Sequence, residues 1–301
     1  MGTVNGIARN PYLKSVMYRY VKTALWHPIR MGREHSRCFR QWLLGPDDIP
    51  AIAKRMEIHS HTHFSGLGCA NAEDIIPLLM ESIHIWSPTD YNTTALFKCL
   101  ASGKLDLARK YGVEVQADRR SLRISDGDSN MIILRSMEAR TNKGHLGLHG
   151  FSGKPPRSFD YEDTLKFAFD NGAFVVLNHP YFWNGVGWNG NDSIDTAVRI
   201  ASNKNGLLAL EKNAAEIPPQ IYSPVLAEIM AKKLGIPLVA SGDAHTLGMY
   251  GRAGIAFPLQ MSCIASMANP VEEISGMIRN SEFTNYFNYS TPKEFLGFFR
   301  F

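Results

Sequence analysis

Short apolar runs alternate with stretches of helical periodicity from about Ile52 onward, and no other feature restricts the fold of this chain as strongly. Strands separated by helices are carried back to lie parallel, and repeated βα units close most economically into a barrel. The runs predict strands near Met56–His59, Ile83–Ser87, Val113–Gln116, Met131–Met137, Phe174–Asn178, Leu207–Glu211, Pro237–Ala240 and Ile255–Phe257. Helices are expected at Ala72–Ser82, Leu96–Tyr111, Asp163–Asn171, Pro224–Leu234 and Val271–Arg279, with Trp183–Asn191 as a long loop. At 301 residues and 45% hydrophobic content the chain fits one barrel-sized domain with appendages.

Barrel enzymes place their chemistry on the loops after the C-terminal ends of the strands, and the polar residues of this chain gather there. His59, His61 and His63 alternate after the first strand, so an extended backbone would turn three imidazoles to one side. Asp90 follows the second strand and Glu138 the fourth; His145 lies seven residues on, His179 ends Val-Val-Leu-Asn-His-Pro, and Asp243 and His245 end Leu-Val-Ala-Ser-Gly-Asp-Ala-His. Imidazoles mixed with carboxylates suit zinc, manganese or iron rather than calcium. Paired divalent ions would acidify a water and neutralise charge developing on a phosphoryl or carbonyl oxygen, with Asp90 or His245 accepting or delivering a proton. Arg140, Lys143, Arg157, Arg199 and Lys212 are candidates to grip an anionic group, Arg140 foremost because it lies two residues from Glu138.

These residues carry a resemblance. The ordered series His59-Ser60-His61-Thr62, Thr89-Asp90, Glu138 with Gly144-His145, His179-Pro180 and Asp243-Ala244-His245 resembles the polymerase and histidinol phosphatase (PHP) family of metal-dependent phosphoesterases, over residues 56 to about 257. The resemblance implies an α/β fold, a distorted seven-stranded βα barrel with its metal site at the C-terminal face of the strands. By the same resemblance, His59, His61, Glu138 and Asp243 would bind a first ion, Glu138 would bridge to a second completed by His145 and His179, and His245 would contribute to a third. Two departures weaken the third site: Ser65-Gly66-Leu67 follows the first motif where the family offers a ligand, and Tyr91 stands where the family usually has histidine. His63 either replaces a missing donor or hydrogen-bonds Ser65, and the second is expected. Two divalent ions are therefore expected rather than three, with an anionic substrate held partly by Tyr91 and an arginine. The stretch Ala117–Asn130 reads as an inserted surface hairpin turning at Asp126-Gly127, with Arg119, Arg120 and Arg123.

Residues 1–50 form a basic preface to the domain at 51–270. Its first 46 residues hold eight basic groups against one acid, Glu34, although the whole chain carries only +4. Leu13, Val16, Met17, Tyr20 and Ala24 recur at helical spacing beside Lys14, Arg19 and Lys22. Such a helix either lies on an anionic membrane surface or packs on the body and exposes its basic side. Residues 271–301 supply a helix and an aromatic tail, Tyr286 to Phe301, to pack against it or against the barrel. Cys38, Cys69, Cys99 and Cys263 lack metal-knuckle or disulfide spacing, and no apolar run is long enough to cross a bilayer, so a cytoplasmic protein with reduced thiols is expected. The expected activity is a metal-dependent hydrolase, foremost a phosphoesterase on a small phosphorylated metabolite or nucleotide. The alternatives are an inactive PHP-derived binding protein or a binuclear hydrolase of a non-phosphate substrate. Nucleic acid is not expected as a stable partner, and the sequence does not set the oligomeric state.

Overall fold

The computed structural model describes residues 11–291 apart from 45, 48–53, 67–69, 106–109, 117, 128, 216–219 and 259–266. In chain order it forms α1 (Pro11–Trp26), α2 (Pro28–Leu44), β1 (Lys54–Glu57), α3 (Ala72–Met80), β2 (Ile85–Trp86), α4 (Ala95–Ala101), β3 (Gly112–Val115), β4 (Ser121–Ser125), β5 (Asn130–Leu134), β6 (Ser136–Thr141) and β7 (Gly144–His149). Then follow α5 (Tyr161–Asp170), β8 (Phe174–Leu177), α6 (Asp192–Asn203), β9 (Leu208–Asn213), α7 (Tyr222–Leu234), β10 (Leu238–Ser241), β11 (Ala253–Phe257), α8 (Pro270–Arg279) and β12 (Thr284–Phe287).

The strands make two sheets, one of seven in the order β12-β11-β1-β2-β5-β4-β3 and one of five in the order β10-β9-β8-β7-β6. Among the described residues no closed seven-stranded barrel forms. The expectation of uniform βα units fails at the antiparallel hairpins β3–β4–β5 and β6–β7–β8, which interrupt the parallel runs β1–β2–β5 and β8–β9–β10. The expected strand Met131–Met137 breaks at Arg135, where β5 of one sheet passes into β6 of the other. On the far side Asn285 of β12 ties to β10, accepting from Ala240 N at 2.7 Å and donating to Leu238 O at 2.9 Å.

β8 is apolar throughout because both its faces are covered. Val175 and Leu177 pack with Tyr161, Leu165, Ala197 and Val225 under α5, α6 and α7. Phe174 and Val176 face Met56, Ile85, Ile132 and Val239, with Val271, Ile274 and Ile278 of α8 closing that layer. The turn expected at Asp126-Gly127 is present, with Ser129 N donating to Asp126 Oδ1 at 2.8 Å, but it joins β4 to β5, so only one strand of the hairpin lies within Ala117–Asn130. The hairpin is a wall of the sheet rather than a loose appendage: Leu122 and Ile124 are buried, Arg123 pairs with Glu114 and Arg120 with Glu272.

The basic preface packs on the body. Val16 is buried, Tyr20 and Ala24 join its cluster beneath α7, and Arg30 pairs with Glu228 at 2.8 Å. Farther along α2, Gln41 donates to Asn288 Oδ1 at 2.9 Å and Trp42 Nε1 to Ser290 O at 3.0 Å. Phe287 and Tyr289 are buried beside Cys38, while Phe295, Phe298, Phe299 and Phe301 lie outside the described residues.

Candidate metal centre

β1 ends at Glu57, yet His59 and His61 keep the strand's alternation because the chain beyond it pairs with the loop after β10. Ser60 bridges Ala244 in parallel, and His61 N donates to Ala244 O at 2.8 Å. The alternation stops at His63, which opens a 3₁₀ turn at His63–Ser65. Its ring lies 4.1 Å from that of Phe64, it joins none of the donor groups below, and Ser65 Oγ meets His61 instead, so neither expectation for His63 holds.

Four buried donors converge. His59 Nε2 lies 3.1 Å from His61 Nε2, 3.5 Å from Glu138 Oε2 and 3.3 Å from Asp243 Oδ1, while His61 Nε2 lies 3.3 Å from each of those oxygens. Two ligands of one zinc-sized ion, each at a bond length of about 2.0 Å, lie about 3.3 Å apart, and these five separations match that spacing. Among the described residues Glu138 Oε2 and Asp243 Oδ1 are buried without a hydrogen-bond donor, a costly state that a cation relieves. The donor set therefore fits a divalent ion. Glu138 turns its other oxygen the opposite way: Oε1 lies 3.0 Å from His145 Nδ1 and 3.3 Å from His179 Nε2, a second group of three. His61, Asp243 and His245 form a third group, sharing His61 and Asp243 with the first.

The ring nitrogens are set by their outer partners. His59 Nδ1 donates to Glu211 Oε1 at 2.6 Å, which leaves Nε2 bare toward the donor group. His61 Nδ1 lies 3.2 Å from Ser65 Oγ, which itself donates to Asp90 Oδ1 at 2.7 Å; Ser65 thus accepts from His61 and again leaves Nε2 bare. Glu211 also accepts from His179 N and Ser241 Oγ, and from Asn213 Nδ2 at 3.2 Å. Asn213 reaches Asp243 Oδ2 at 3.2 Å, and Asn178 donates to Glu138 Oε1 at 2.9 Å. Gly147 makes room for this arrangement, since a Cβ there would come within 2.7 Å of Asn178 Oδ1. His179 and Asp243 both hold positive φ, 28° and 43°, strain of the kind that collects at functional sites.

Burial presses the carboxyl of Glu138 upward, but the imidazoles of His145 and His59 outweigh it and hold it well below the carboxylate range. Asp243 behaves likewise beside His59 and His61. Burial presses His59 toward neutrality, and the carboxylates of Glu211, Asp243 and Glu138 raise it well above its ordinary value. The centre is a knot of negative charge that protons on imidazole can balance, and a divalent ion would displace those protons.

Of the other expected residues, Asp90 lies outside the donor groups. Its carboxylate accepts from Thr62 N at 2.7 Å, Thr62 Oγ1 at 2.8 Å and Ser65 Oγ, so it shapes the loop carrying His61. Tyr91 stacks on His61 with ring centroids 4.2 Å apart, and the Arg140 guanidinium lies 3.5 Å over the Tyr91 ring. Lys143 lines a cleft of about 380 Å³ that begins at His145 and continues past Asn142, Trp183 and Trp188. Lys212 is turned away and pairs with Glu34 of α2 at 2.9 Å, and Arg157 and Arg199 are exposed. Glu211, Asn213 and Asn178 were not singled out by the sequence, although a carboxylate ending a wholly apolar strand signals a buried site of donors.

No curated protein matches the chain. Among solved structures, the crystal structure of PsfC from Pseudomonas syringae PB-5123 superposes with a TM-score of 0.56 at 16% identity, covering 81% of this chain and 96% of that one, a likeness of fold. A family model described as PHP-associated matches residues 225–273, from α7 to the start of α8. That segment carries Asp243 and His245.

Proposed function

We propose that the chain is a metal-dependent hydrolase of PHP type, acting as a phosphoesterase on a small phosphorylated substrate. The observation that carries this reading is the carboxylate of Glu138, whose two oxygens face two separate groups of imidazole donors. His59, His61, Glu138 and Asp243 would hold one ion, and Glu138, His145 and His179 a second, each zinc, manganese or iron. Bound there, the ions would supply a water acidified at neutral pH and positive charge for a phosphoryl oxygen. On the same reading the two sheets are the parted halves of a distorted PHP-type barrel, joined at Arg135.

The chain's own residues divide the remaining work. The Arg140 guanidinium, held over the Tyr91 ring, supplies an anion contact at the mouth. The Tyr91 phenol is kept protonated by burial and by the carboxylates of Glu138 and Asp243, so it keeps a proton to donate to a substrate oxygen. His245 is pressed down to about 4 by burial and by His61, and its Nδ1 donates to Asp243 O at 2.8 Å. It is therefore neutral at pH 7 with Nε2 free of a proton, suited to accept one; Tyr91 OH lies 3.4 Å from that nitrogen. The organic part of the substrate would occupy the cleft beside His145, where indole faces and amides accept a polar ring.

The test is Glu138→Gln, read by metal analysis, circular dichroism and a screen of phosphate monoesters, diesters and nucleotides. Both metal content and hydrolysis should fall while the fold survives, because each ion loses one charged donor. Unchanged stoichiometry and unchanged turnover would refute the paired-ion reading. A wild-type protein that holds metal yet cleaves only non-phosphate bonds would redirect the substrate class.

A further inference from the structure

We infer that the outer face of the α1–α2 hairpin is a docking surface for an anionic lipid bilayer. Eight of the twelve large hydrophobic side chains exposed among the described residues lie between Met17 and Leu43, all on these two helices. Leu25, Trp26 and Ile29, around the junction of the helices, are 74%, 75% and 70% exposed. The same segment has already spent one apolar stripe: Val16, Tyr20 and Ala24 pack inward beneath α7. Tyr18, Val21 and Leu25 step by three and four along the opposite side, so α1 is apolar on a face that nothing in the fold requires.

Charge identifies the occupant. The exposed ionic groups of the hairpin are basic, with Lys22, Arg33 and Arg40 outward, while its one acid, Glu34, is taken up by Lys212 Nζ at 2.9 Å and Tyr289 OH at 2.8 Å. Arg33, Arg37 and Arg40 share one side of α2 and line a groove of about 630 Å³ with Ile29, Gly32 and Ser36. Asp47 at one end pairs with Arg37 and Arg40, leaving the groove with an excess of guanidinium. A second copy of the chain docked symmetrically on this face would bring like charges together. An anionic headgroup layer meets the guanidinium groups and admits Trp26 and Tyr18 at the depth where indole and phenol rings settle. Among the described residues no helix is long and apolar enough to cross a membrane, so the contact is interfacial.

The experiment is flotation of the full-length protein with phosphatidylcholine vesicles made with and without phosphatidylglycerol, at low and high salt. We expect binding to the anionic vesicles alone, released by salt as screening shortens the reach of the charges. Lys22→Gln and Arg33→Gln should each weaken partition roughly fivefold. Leu25→Ser with Trp26→Ser should abolish it, without altering the circular dichroism spectrum or the metal content. Equal binding to uncharged vesicles, failure of the wild-type protein to float, or undiminished binding by these variants would each overturn the inference. So would a dimer in vesicle-free solution that Leu25→Ser with Trp26→Ser dissociates, since the face would then belong to a second copy.

Discussion

Glu211→Gln probes whether the residues behind the donors decide what the donors can hold. Glu211 is fully buried and four donors converge on it: His59 Nδ1 and Ser241 Oγ on Oε1, His179 N and Asn213 Nδ2 on Oε2. A carboxamide must turn its NH₂ toward one of these pairs whichever way it is placed. With NH₂ at the Oε2 position, the backbone N–H of His179 loses its acceptor, which costs about 1–3 kcal/mol for a buried donor. With NH₂ at the Oε1 position, the Ser241 hydroxyl can rotate to accept, but His59 must move its proton from Nδ1 to Nε2, the nitrogen that faces Glu138 and Asp243. Either way the first donor group is damaged without any of its members being changed. Loss of such outer partners costs about 10–100-fold in metal affinity. The assay is a competition titration against a chromophoric chelator, with urea unfolding of the metal-free protein run alongside. Ser241→Ala, which removes one neutral donor from Glu211, serves as the control and should change affinity little. An affinity for Glu211→Gln within about threefold of wild type, in a folded protein, would refute the argument that Glu211 sets the tautomer of His59.

Two further predictions address groups outside the donor set. His149 is fully buried, stacked on Phe174 and within 2.7 Å of Ser87 Oγ, and burial with the nearby His59 presses it from 6.5 down to about 3. It stays neutral in the fold, so the unfolded chain binds one more proton between those values. Stability should therefore fall as pH drops below 6.5, by about 1.4 kcal/mol per pH unit at most from this residue, and His149→Gln should remove that part of the slope in urea midpoints measured at several pH values; parallel slopes in the two proteins would contradict it. Asp90→Asn and Ser65→Ala should each weaken metal binding through His61, and the double variant should be no worse than the worse single one, because both break one relay; additive losses would show that Asp90 acts by another route.

The donor residues were legible because their signal is local. A polar residue ending an apolar run can be read without knowing where the other runs go, and the family resemblance assigned the ligands, including His145, which ends no such run; all seven fall within the convergent groups. What surrounds them was not legible in the same way. Asp90 reads as a proton carrier from its place after a strand, but its acceptors are filled by Thr62 and Ser65, more than twenty residues earlier. The strand β7, Gly-His-Leu-Gly-Leu-His, has two glycines and little intrinsic strand preference; it is extended because β6 and β8 flank it on both sides. β12, α2 and α6 were missed as well, β4 was expected only as part of an inserted surface hairpin, and the hairpins built from β4 and β7 are what part the expected barrel into two sheets. A pattern of runs says how many strands to expect, whereas their direction depends on turns only a few residues long, such as Thr141–Gly144.

The strand β9 shows how alternation alone assigns three neighbouring residues to different tasks. Successive side chains on a strand point to opposite faces, so Glu211 and Asn213 cannot point where Lys212 does. Glu211 and Asn213 turn toward the donors and hold His59 and Asp243. Lys212, which the sequence offers as a grip for an anionic substrate, is thereby directed to the other side, where its ammonium meets Glu34 and lies 4.8 Å from the ring centroid of Phe287. That pairing neutralises the one acid of the helical hairpin and leaves the hairpin's outward charge wholly basic. The register that places Glu211 behind His59 therefore also fixes the sign of the surface that α2 presents. A slip of one residue in β9 would undo both at once, by sending Lys212 into the donors and Glu211 against Glu34.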